Sequence, residues 1–230
     1  MRKIREFPVP LPDRMRRLAV DHRGFPVPQF VTWFKDGKPA AYGEGEPDFR
    51  VIDPDNVVRC VKLGLCWVCG HKLGTYKAFV IGPMCAVNRT ISDPPSHVTC
   101  ARFAARCCPF LAQPRMKRNA HELPEHNQMP GLHLKRNPGV ACVWVTKSYK
   151  TFRAGSERGS HDGMLFSLGE PEGVEWWAEG REATLDEVAA SISSGFPSLY
   201  ELAEEEGMPA LRELGKYMNR VLPLLPHAVG

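Results

Sequence analysis

Hydrophobic residues in the first part of the chain form short runs, and each run is bounded by residues that favour turns or helix ends. The run at 30–34 is followed by an Asp-Gly pair at 36–37, which is typical of a β-hairpin turn, and 49–52 is predicted to be the return strand. The Asp-Pro pair at 53–54 predicts a helix start, because aspartate caps the first turn and proline fits the first helical position. This helix would end just before Cys66.

The same kinds of pattern predict further elements downstream. Residues 75–81 are rich in β-branched and aromatic side chains, which favours a strand. A helix is expected to start at Asp93 or Ser96 and to run to about Cys107, before Pro109 stops it. Four more strands are predicted, at 140–146, 149–153, 164–168 and 173–178.

The C-terminal segment is predicted to be helical. Residues 184–187, Thr-Leu-Asp-Glu, form a capping box, in which two side chains satisfy free amides of the first helical turn. Gly195 is expected to end this helix, and two more helices are predicted at 199–206 and 210–222. Strands and helices together indicate the α+β class, with a small antiparallel sheet followed by C-terminal helices.

The composition is that of a globular chain, with 43% hydrophobic and 24% charged residues, so wholesale disorder is not expected. No stretch reaches the roughly 20 apolar residues that span a bilayer, and no apolar run follows the basic N-terminus. Eight cysteines without an export signal favour reduced thiols over a disulfide framework. We therefore expect a cytoplasmic protein without a membrane segment.

Charge is distributed unevenly along the chain. Residues 1–150 carry 24 Lys and Arg against 12 Asp and Glu, a balance of +12, whereas residues 151–230 carry 6 against 14, a balance of −8. An excess of positive charge favours a polyanionic partner, with nucleic acid as the first candidate. The alternative is that the two halves neutralise each other across an intramolecular interface.

The basic half also carries two pairs of soft metal ligands. Cys66 and Cys69 stand two residues apart and precede a glycine, a spacing that lets both thiolates of a tight turn face one tetrahedral ion. His97 and Cys100 are spaced so that both lie near the start of the predicted helix, where the helix dipole favours a thiolate. These four residues predict a zinc site.

Two alternatives to this ligand set remain open. Cys85, in Gly-Pro-Met-Cys, competes with His97 as the fourth ligand. Cys66, Cys69, Cys85 and Cys100 could instead hold an iron–sulfur cluster, although the single histidine and the absence of a compact run of cysteines favour zinc. A tight turn, a β-hairpin and a helix that carries the second pair follow in the order of a treble-clef zinc finger, and the segment is similar to that pattern.

No catalytic residue is predicted. The His-containing segment 121–126 has the wrong spacing for a zinc-protease helix and contains a proline. Some metal-dependent nucleases use a treble-clef helix, but the predicted hairpin at 76–82 carries no His or Asp. A nuclease-like enzyme is therefore kept only as the second alternative, and whether the protein is an enzyme is left open.

Nucleic-acid binding is the first functional hypothesis. Basic side chains in the N-terminal half are the candidate contacts to phosphate, because they surround the cysteines in the sequence. They include a cluster from the ligand helix onwards that contains no acidic residue. They are Arg16, Arg17, Lys72, Lys77, Arg102, Arg106, Arg115, Lys117 and Arg118. The partner could be DNA or RNA.

The first alternative is a protein–protein adaptor or a regulatory protein, such as a phage-encoded protein that binds a host partner, with a purely structural zinc. Trp176 and Trp177 lie on a predicted strand and should face opposite sides, one towards the core and the other available for a partner. The sequence does not indicate an oligomeric state.

The domain plan follows from these patterns. We expect an extended basic arm at 1–28, a zinc-binding domain at 29–115, a linker or long loop at 116–138 and an acidic α+β domain at 139–230.

Several longer segments resemble proteins of no established activity that are encoded by phage and bacterial genomes. They are Phe-Val-Ile-Gly-Pro-Met-Cys-Ala-Val-Asn-Arg at 79–89, Pro-Pro-Ser-His with Cys-Ala at 94–101, Arg-Asn-Pro-Gly-Val at 136–140 and Glu-Gly-Arg with Ala-Thr at 179–184. The resemblance implies a phage or bacterial origin and carries no function.

Overall fold

The computed structural model describes residues 2–113, 139–153 and 164–227. Helices and antiparallel sheets are both present, which confirms the α+β class. The described strands are β1 (Val31–Lys35), β2 (Lys38–Ala40), β3 (Glu46–Ile52), β4 (Lys77–Ile81), β5 (Thr90–Ile91), β6 (Ala141–Thr146), β7 (Tyr149–Arg153), β8 (Met164–Leu168), β9 (Pro171–Ala178) and β10 (Arg181–Glu182). The described helices are α1 (Pro54–Leu63), α2 (Pro83–Asn88), α3 (Val98–Cys107), α4 (Pro109–Ala112), α5 (Leu185–Glu206) and α6 (Met208–Val221), with short 3₁₀ turns at Asp13–Met15 and Leu222–Leu224.

The first sheet has the order β2-β1-β3 and is built around the predicted hairpin. Asp36 and Gly37 both have positive φ, at 52° and 74°, as a two-residue hairpin turn requires, and Lys35 pairs with Lys38 across it. The return strand is therefore β2. The predicted return at 49–52 lies in β3, which pairs with the other edge of β1. Asp53 caps α1 by accepting a hydrogen bond from the amide of Asp55.

The central sheet, in the order β10-β9-β6-β4, is covered on both faces. Every residue of β6 is buried. Cys142 and Trp144 face a core that α2, α5 and α6 complete, whereas Val143 and Val145 face α3. This two-sided burial explains why β6 appears in the sequence as an unbroken hydrophobic run rather than an alternating one.

The adjacent tryptophans of β9 follow this division. Trp176 packs in the core on the α5 and α6 side, and Trp177 packs on the α3 side. The prediction of opposite faces is confirmed, but the expectation that one indole would be exposed is wrong, since both are buried. The α3 helix covers the face that was expected to be open.

Helix α5 is longer than the sequence indicates. Thr184 and Glu187 form the predicted capping box. The helix does not end at Gly195 but continues through Pro197 to Glu206. Gly195 is instead a close-packing position, because a Cβ atom there would lie 2.8 Å from Cγ of Met84 on α2.

Residues on both sides of the predicted linker share one core. Strand β4 pairs with β6, so that Phe79 lies opposite Trp144, and the short strand β5 pairs with β8. Side chains from 79–91 and from 140–221 belong to one hydrophobic cluster. The sheet therefore joins the basic, cysteine-rich part of the sequence to the acidic part, while the segment 116–138 lies outside the described residues.

Candidate metal centre

The ligand atoms of Cys66, Cys69, His97 and Cys100 all lie within 4.8 Å of one another. The three cysteines are buried, and His97 is partly buried. The four residues predicted from their spacing are thus brought together in one cluster that can hold a metal ion.

A tight turn positions the first two sulfurs. The amide of Cys66 donates to the carbonyl of His71 at 2.8 Å, and the amide of Gly70 donates to the carbonyl of Cys66 at 2.9 Å. Gly70 has a φ of 71°, and a Cβ atom there would approach Cγ of Gln29 to 3.0 Å. Both observations explain why glycine occupies this position.

Backbone amides point at the sulfur of Cys66. The N–H of Cys69 lies 3.5 Å from Cys66 Sγ, and the N–H of His97 lies 3.3 Å from the same atom. Amide donors of this kind stabilise a thiolate by partly neutralising its charge. The second amide comes from the far half of the site, so it also ties the turn to the segment that leads into α3.

The second ligand pair is placed by a strand contact followed by a helix start. Ser96 and Ala78 exchange backbone hydrogen bonds of 2.7 and 2.8 Å, and the amide of Trp67 donates to the carbonyl of Pro95 at 3.0 Å. His97 is then the N-cap residue of α3, which puts Cys100 in its first turn. The unpaired amides and the dipole at this helix end favour a negatively charged sulfur.

The imidazole of His97 is held at both nitrogens. Nδ1 lies 3.3 Å from Sγ of Cys69, and Nε2 lies 3.0 Å from the carbonyl oxygen of Lys72. A carbonyl oxygen only accepts, so Nε2 must carry the proton. In the neutral ring Nδ1 then has its lone pair directed into the cluster, as a metal ligand requires.

The four groups strongly perturb one another's protonation. Hydrogen bonds with Cys100 and Cys69 hold the pKa of the Cys66 thiol far below its usual value, and contact with Cys66 raises the pKa of Cys100. Contacts with Cys66 and Cys69 raise the pKa of His97 to about 10. The cluster concentrates negative charge on sulfur and favours a positive charge beside it.

The N-terminal arm packs against the cysteine cluster. Met15 and Leu18 are buried in the same hydrophobic group as Cys66, Cys69 and Cys100. Phe7 contacts Phe103, one turn beyond Cys100 on α3, with ring centroids 5.0 Å apart. The arm has little regular structure, yet it packs against the site instead of extending from it.

Cys85 lies elsewhere. It is on α2 and packs against the core shared with α5 and α6, where burial raises the pKa of its thiol to about 11. The four-residue cluster found within the described ranges does not include it. The geometry therefore favours His97 as the fourth ligand and provides no set of four cysteines for an iron–sulfur cluster.

The treble-clef order is not confirmed. Between the tight turn and α3, strand β4 pairs along its length with β6, which is distant in sequence. Within the described residues, backbone pairing of β4 with the returning chain is limited to the isolated bridge between Ala78 and Ser96. Helix α2 and strand β5 occupy the space between them, where a simple hairpin was expected.

The predicted phosphate contacts divide into three groups. Arg16, Arg17 and Lys72 are exposed, and Lys77 is partly exposed. Arg102 and Arg106 bind other parts of the molecule. Arg115, Lys117 and Arg118 lie outside the described residues.

Two arginines of α3, Arg102 and Arg106, contact the acidic C-terminal part of the chain. Arg102 forms a double hydrogen bond with Glu175, with distances of 2.5 and 2.8 Å to Oε1. The guanidinium of Arg106 lies 5.0 Å from the ring centroid of Trp177 and donates to the carbonyl of Gly180 at 3.4 Å. For Arg102 the structure favours the alternative of intramolecular neutralisation, whereas Arg106, within the described residues, is held by a ring and a carbonyl and not by an acidic side chain.

Sequence reasoning missed the carbonyl of Lys72 and the packing of the arm. The alternation of hydrophobic residues at Phe7, Val9 and Leu11 was a signal that the arm is not fully solvated. All three pack against the hydrophobic cluster that contains Cys66, Cys69 and Cys100. No pattern in the sequence could indicate that the carbonyl at position 72 faces His97, because every residue carries one.

Comparison of the chain with protein-family models, with curated proteins and with solved structures gives no match. The resemblance to phage and bacterial proteins stays a prediction. In the part of the chain that the structure describes, every helix is too short or too polar to span a bilayer.

Proposed function

We propose that this protein is a zinc-stabilised nucleic-acid-binding factor. The observation that carries the proposal is the closed Cys₃His cluster within a basic part of the chain. Thiolate and imidazole ligands suit zinc, and the hydrogen bond from His97 to the Lys72 carbonyl is the outer support that a ligating histidine normally has.

The zinc is proposed to be structural. Four protein ligands fill a tetrahedral coordination sphere, which leaves no position for the water molecule that a hydrolytic zinc site activates. The ion would hold the tight turn at 66–70 against the start of α3 and, through Phe103, hold the N-terminal arm. This arrangement favours a binding protein over the nuclease-like alternative.

The proposed nucleic-acid contact depends on the exposed basic residues around this unit. Arg16, Arg17 and Lys72 are exposed on segments that pack against the three cysteines, and the ammonium of Lys72 donates to the carbonyl of Leu63. Arg16 retains 67% of its side-chain exposure despite an ion pair with Asp13. Exposed side chains of this kind can neutralise phosphate charges at little desolvation cost. Arg102 and Arg106 are left out of the proposed contact, because Glu175 and Trp177 already engage them.

The test uses the zinc-loaded full chain and fluorescence anisotropy with labelled DNA and RNA oligonucleotides. Saturable binding that weakens as salt rises from about 50 to about 200 mM is the expected result. The double variant Arg16→Ala/Arg17→Ala should bind more weakly. The matched control is Arg212→Ala/Lys216→Ala, which removes two charges from the exposed face of α6.

An absence of binding at low salt would overturn the proposal. The protein–protein adaptor is the second candidate and keeps the same role for zinc. Partners that remain attached to the purified protein after nuclease treatment would favour it.

A further inference from the structure

A basic groove of about 880 Å³ lies where the first residues of the arm cross the turn at 21–24. The crossing is close and ordered. The amide of Arg5 donates to the carbonyl of Gly24 at 3.0 Å, and a Cβ atom at Gly24 would lie 2.9 Å from that same nitrogen. Lys3, His22 and Arg23 also line the groove, together with the acidic residues Glu6 and Asp21.

Two arginines that line this groove also contact phenylalanine rings beside it. The guanidinium of Arg5 lies 5.9 Å from the ring centroid of Phe7 and 4.6 Å from that of Phe25. The guanidinium of Arg23 lies 5.4 Å from Phe25 and 5.3 Å from Phe49. We call these five contacting side chains, Phe7, Arg5, Phe25, Arg23 and Phe49, the Arg-Phe ladder. Phe49 at its outer end is 37% exposed.

The two arginines of the ladder differ in their acidic partners. Asp21 accepts hydrogen bonds from the amide of Phe25 and from the side chain of Arg23. Although burial raises the pKa of Asp21, these bonds hold it below its usual value, so Asp21 stays ionised and fixes Arg23 in place. Within residues 2–113, 139–153 and 164–227, Lys3 and Arg5 form no ion pair with an acidic side chain.

We infer that the groove and the Arg-Phe ladder bind single-stranded nucleic acid. This inference rests on the proposed function and adds a site for unpaired bases to the phosphate contacts proposed there at Arg16, Arg17 and Lys72. A base stacks on the exposed ring of Phe49, and the guanidinium of Arg23 contacts the same ring. Lys3 and Arg5 contact the phosphates that follow. An exposed aromatic ring next to arginine and lysine side chains is the combination with which proteins hold unpaired bases.

Single strands are favoured over duplexes by the chemistry of the ladder. Stacking on Phe49 requires a base with a free face, and in a duplex both faces are covered by neighbouring bases. The ladder offers the exposed ring of Phe49 and two guanidinium groups, not a helix or a strand that would enter a major groove.

The ladder is connected to the metal centre through two rings. Phe7 packs at 5.7 Å from Phe25 within the ladder and at 5.0 Å from Phe103 on α3, and Phe103 is buried beside Cys100. Zinc binding at Cys100 therefore supports the position of the ladder without touching it.

The experiment measures anisotropy of a labelled oligothymidine of about 12 nucleotides, and of the same sequence in a duplex, with the zinc-loaded full chain. Phe49→Ala should weaken single-strand binding by about 5-fold to about 100-fold, because one stacked base is lost. Phe49→Trp should restore it. Phe152→Ala is the matched control, since Phe152 is similarly exposed, at 42%, on β7.

A second variant tests the phosphate contacts. Lys3→Ala/Arg5→Ala should reduce the slope of log affinity against log salt by about 0.7 for each phosphate that the variant no longer neutralises. Its control is again Arg212→Ala/Lys216→Ala. Zinc content and thermal unfolding of each variant establish that the fold is retained.

The outcomes separate this inference from the proposed function. If the wild-type protein binds no nucleic acid, both fail. If it binds, but Phe49→Ala and Lys3→Ala/Arg5→Ala both bind as the wild type does, or if the duplex binds as tightly as the single strand, the ladder is not the contact surface and the proposed function stands.

Discussion

The carbonyl oxygen of Lys72 lies 3.0 Å from Nε2 of His97 and so determines which ring nitrogen faces the cysteines. Because Nε2 must donate to this oxygen, Nδ1 of the neutral ring is left as the ligand atom beside Cys69 Sγ. The backbone of Lys72, just after the tight turn, thereby orients His97, which lies 25 residues further along the chain. The site is consequently organised by its backbone as well as by its four side chains.

Metal content should depend on Cys100 and not on Cys85. The wild-type protein, prepared without chelator, is expected to contain about one equivalent of zinc per chain. Cys100→Ser should lose most of it because one of four ligands is removed, whereas Cys85→Ser should retain it. Elemental analysis measures both. Equal loss from the two variants would contradict the ligand assignment.

Removing the metal should lower thermal stability substantially. Binding to the folded state alone contributes about 4 kcal/mol when free zinc is about 1,000 times its dissociation constant. For a chain of this size, that corresponds to a fall in Tm of about 8 to 16 °C on chelation. Differential scanning calorimetry with and without chelator measures the change. A Tm that chelator leaves unaltered would show that nothing in the fold depends on the ion.

Phe103→Ala should loosen the N-terminal arm while zinc stays bound. The substitution removes the ring that Phe7 packs against and leaves a cavity, with an expected cost of about 3 to 5 kcal/mol. Amide hydrogen exchange should accelerate between residues 5 and 20. Phe152→Ala, at an exposed position, serves as the control. If exchange in the arm is unchanged, the arm is held by contacts other than Phe103.

The Arg102 and Glu175 pair should contribute to stability and little to nucleic-acid affinity. Arg102 retains half of its exposure, so a double-mutant cycle of the two alanine variants is expected to give a coupling of about 1 kcal/mol or less. Affinity for a single strand should change less than about 2-fold, because Glu175 already neutralises the guanidinium. A much larger loss of affinity in Arg102→Ala would return Arg102 to the contact surface.

The capping box of α5 should contribute stability that depends on pH. The hydrogen bond from Arg181, followed by that from the Thr184 amide, lowers the pKa of Glu187 to about 2. Stabilisation by the charged form is complete above the pKa of an unfolded glutamate, about 4.3, and is lost as the pH falls towards 2.

Glu187→Ala should therefore destabilise the protein by about 1 kcal/mol at neutral pH, and this difference should shrink as the solution is acidified below about pH 4. Urea unfolding of the two proteins at matched pH values measures it. A difference that is constant with pH would mean that the charge of Glu187 is not involved.

Local chemistry explains what could be predicted of the fold. The Asp-Gly turn at 36–37, the cap at Asp53 and the capping box at Thr184 specify their own conformations within a few residues. Gly195 was misjudged because a glycine is also used where two helices approach closely, and only the position of Met84 distinguishes that use from a helix end.

The sequence was sufficient to predict the candidate ligands of the site but not the residues that surround them. Ligand spacing is short within each pair, so the sequence indicates both halves of the site. The partners of Arg102 and Arg106 are distant in sequence and belong to β9 and the turn after it, which no local pattern connects to α3. Charge counting alone could not distinguish an internal ion pair from a phosphate contact.

Because β4 pairs with β6, the N-terminal part of the chain cannot be separated from the rest without breaking the central sheet. A truncated polypeptide that stops at residue 113 would keep all four metal ligands but would lose the strand that satisfies the backbone of β4. It would also expose Phe79 and Ile81, which are buried in the intact protein. Such a fragment is expected to aggregate through its bare sheet edge instead of behaving as an independent zinc finger.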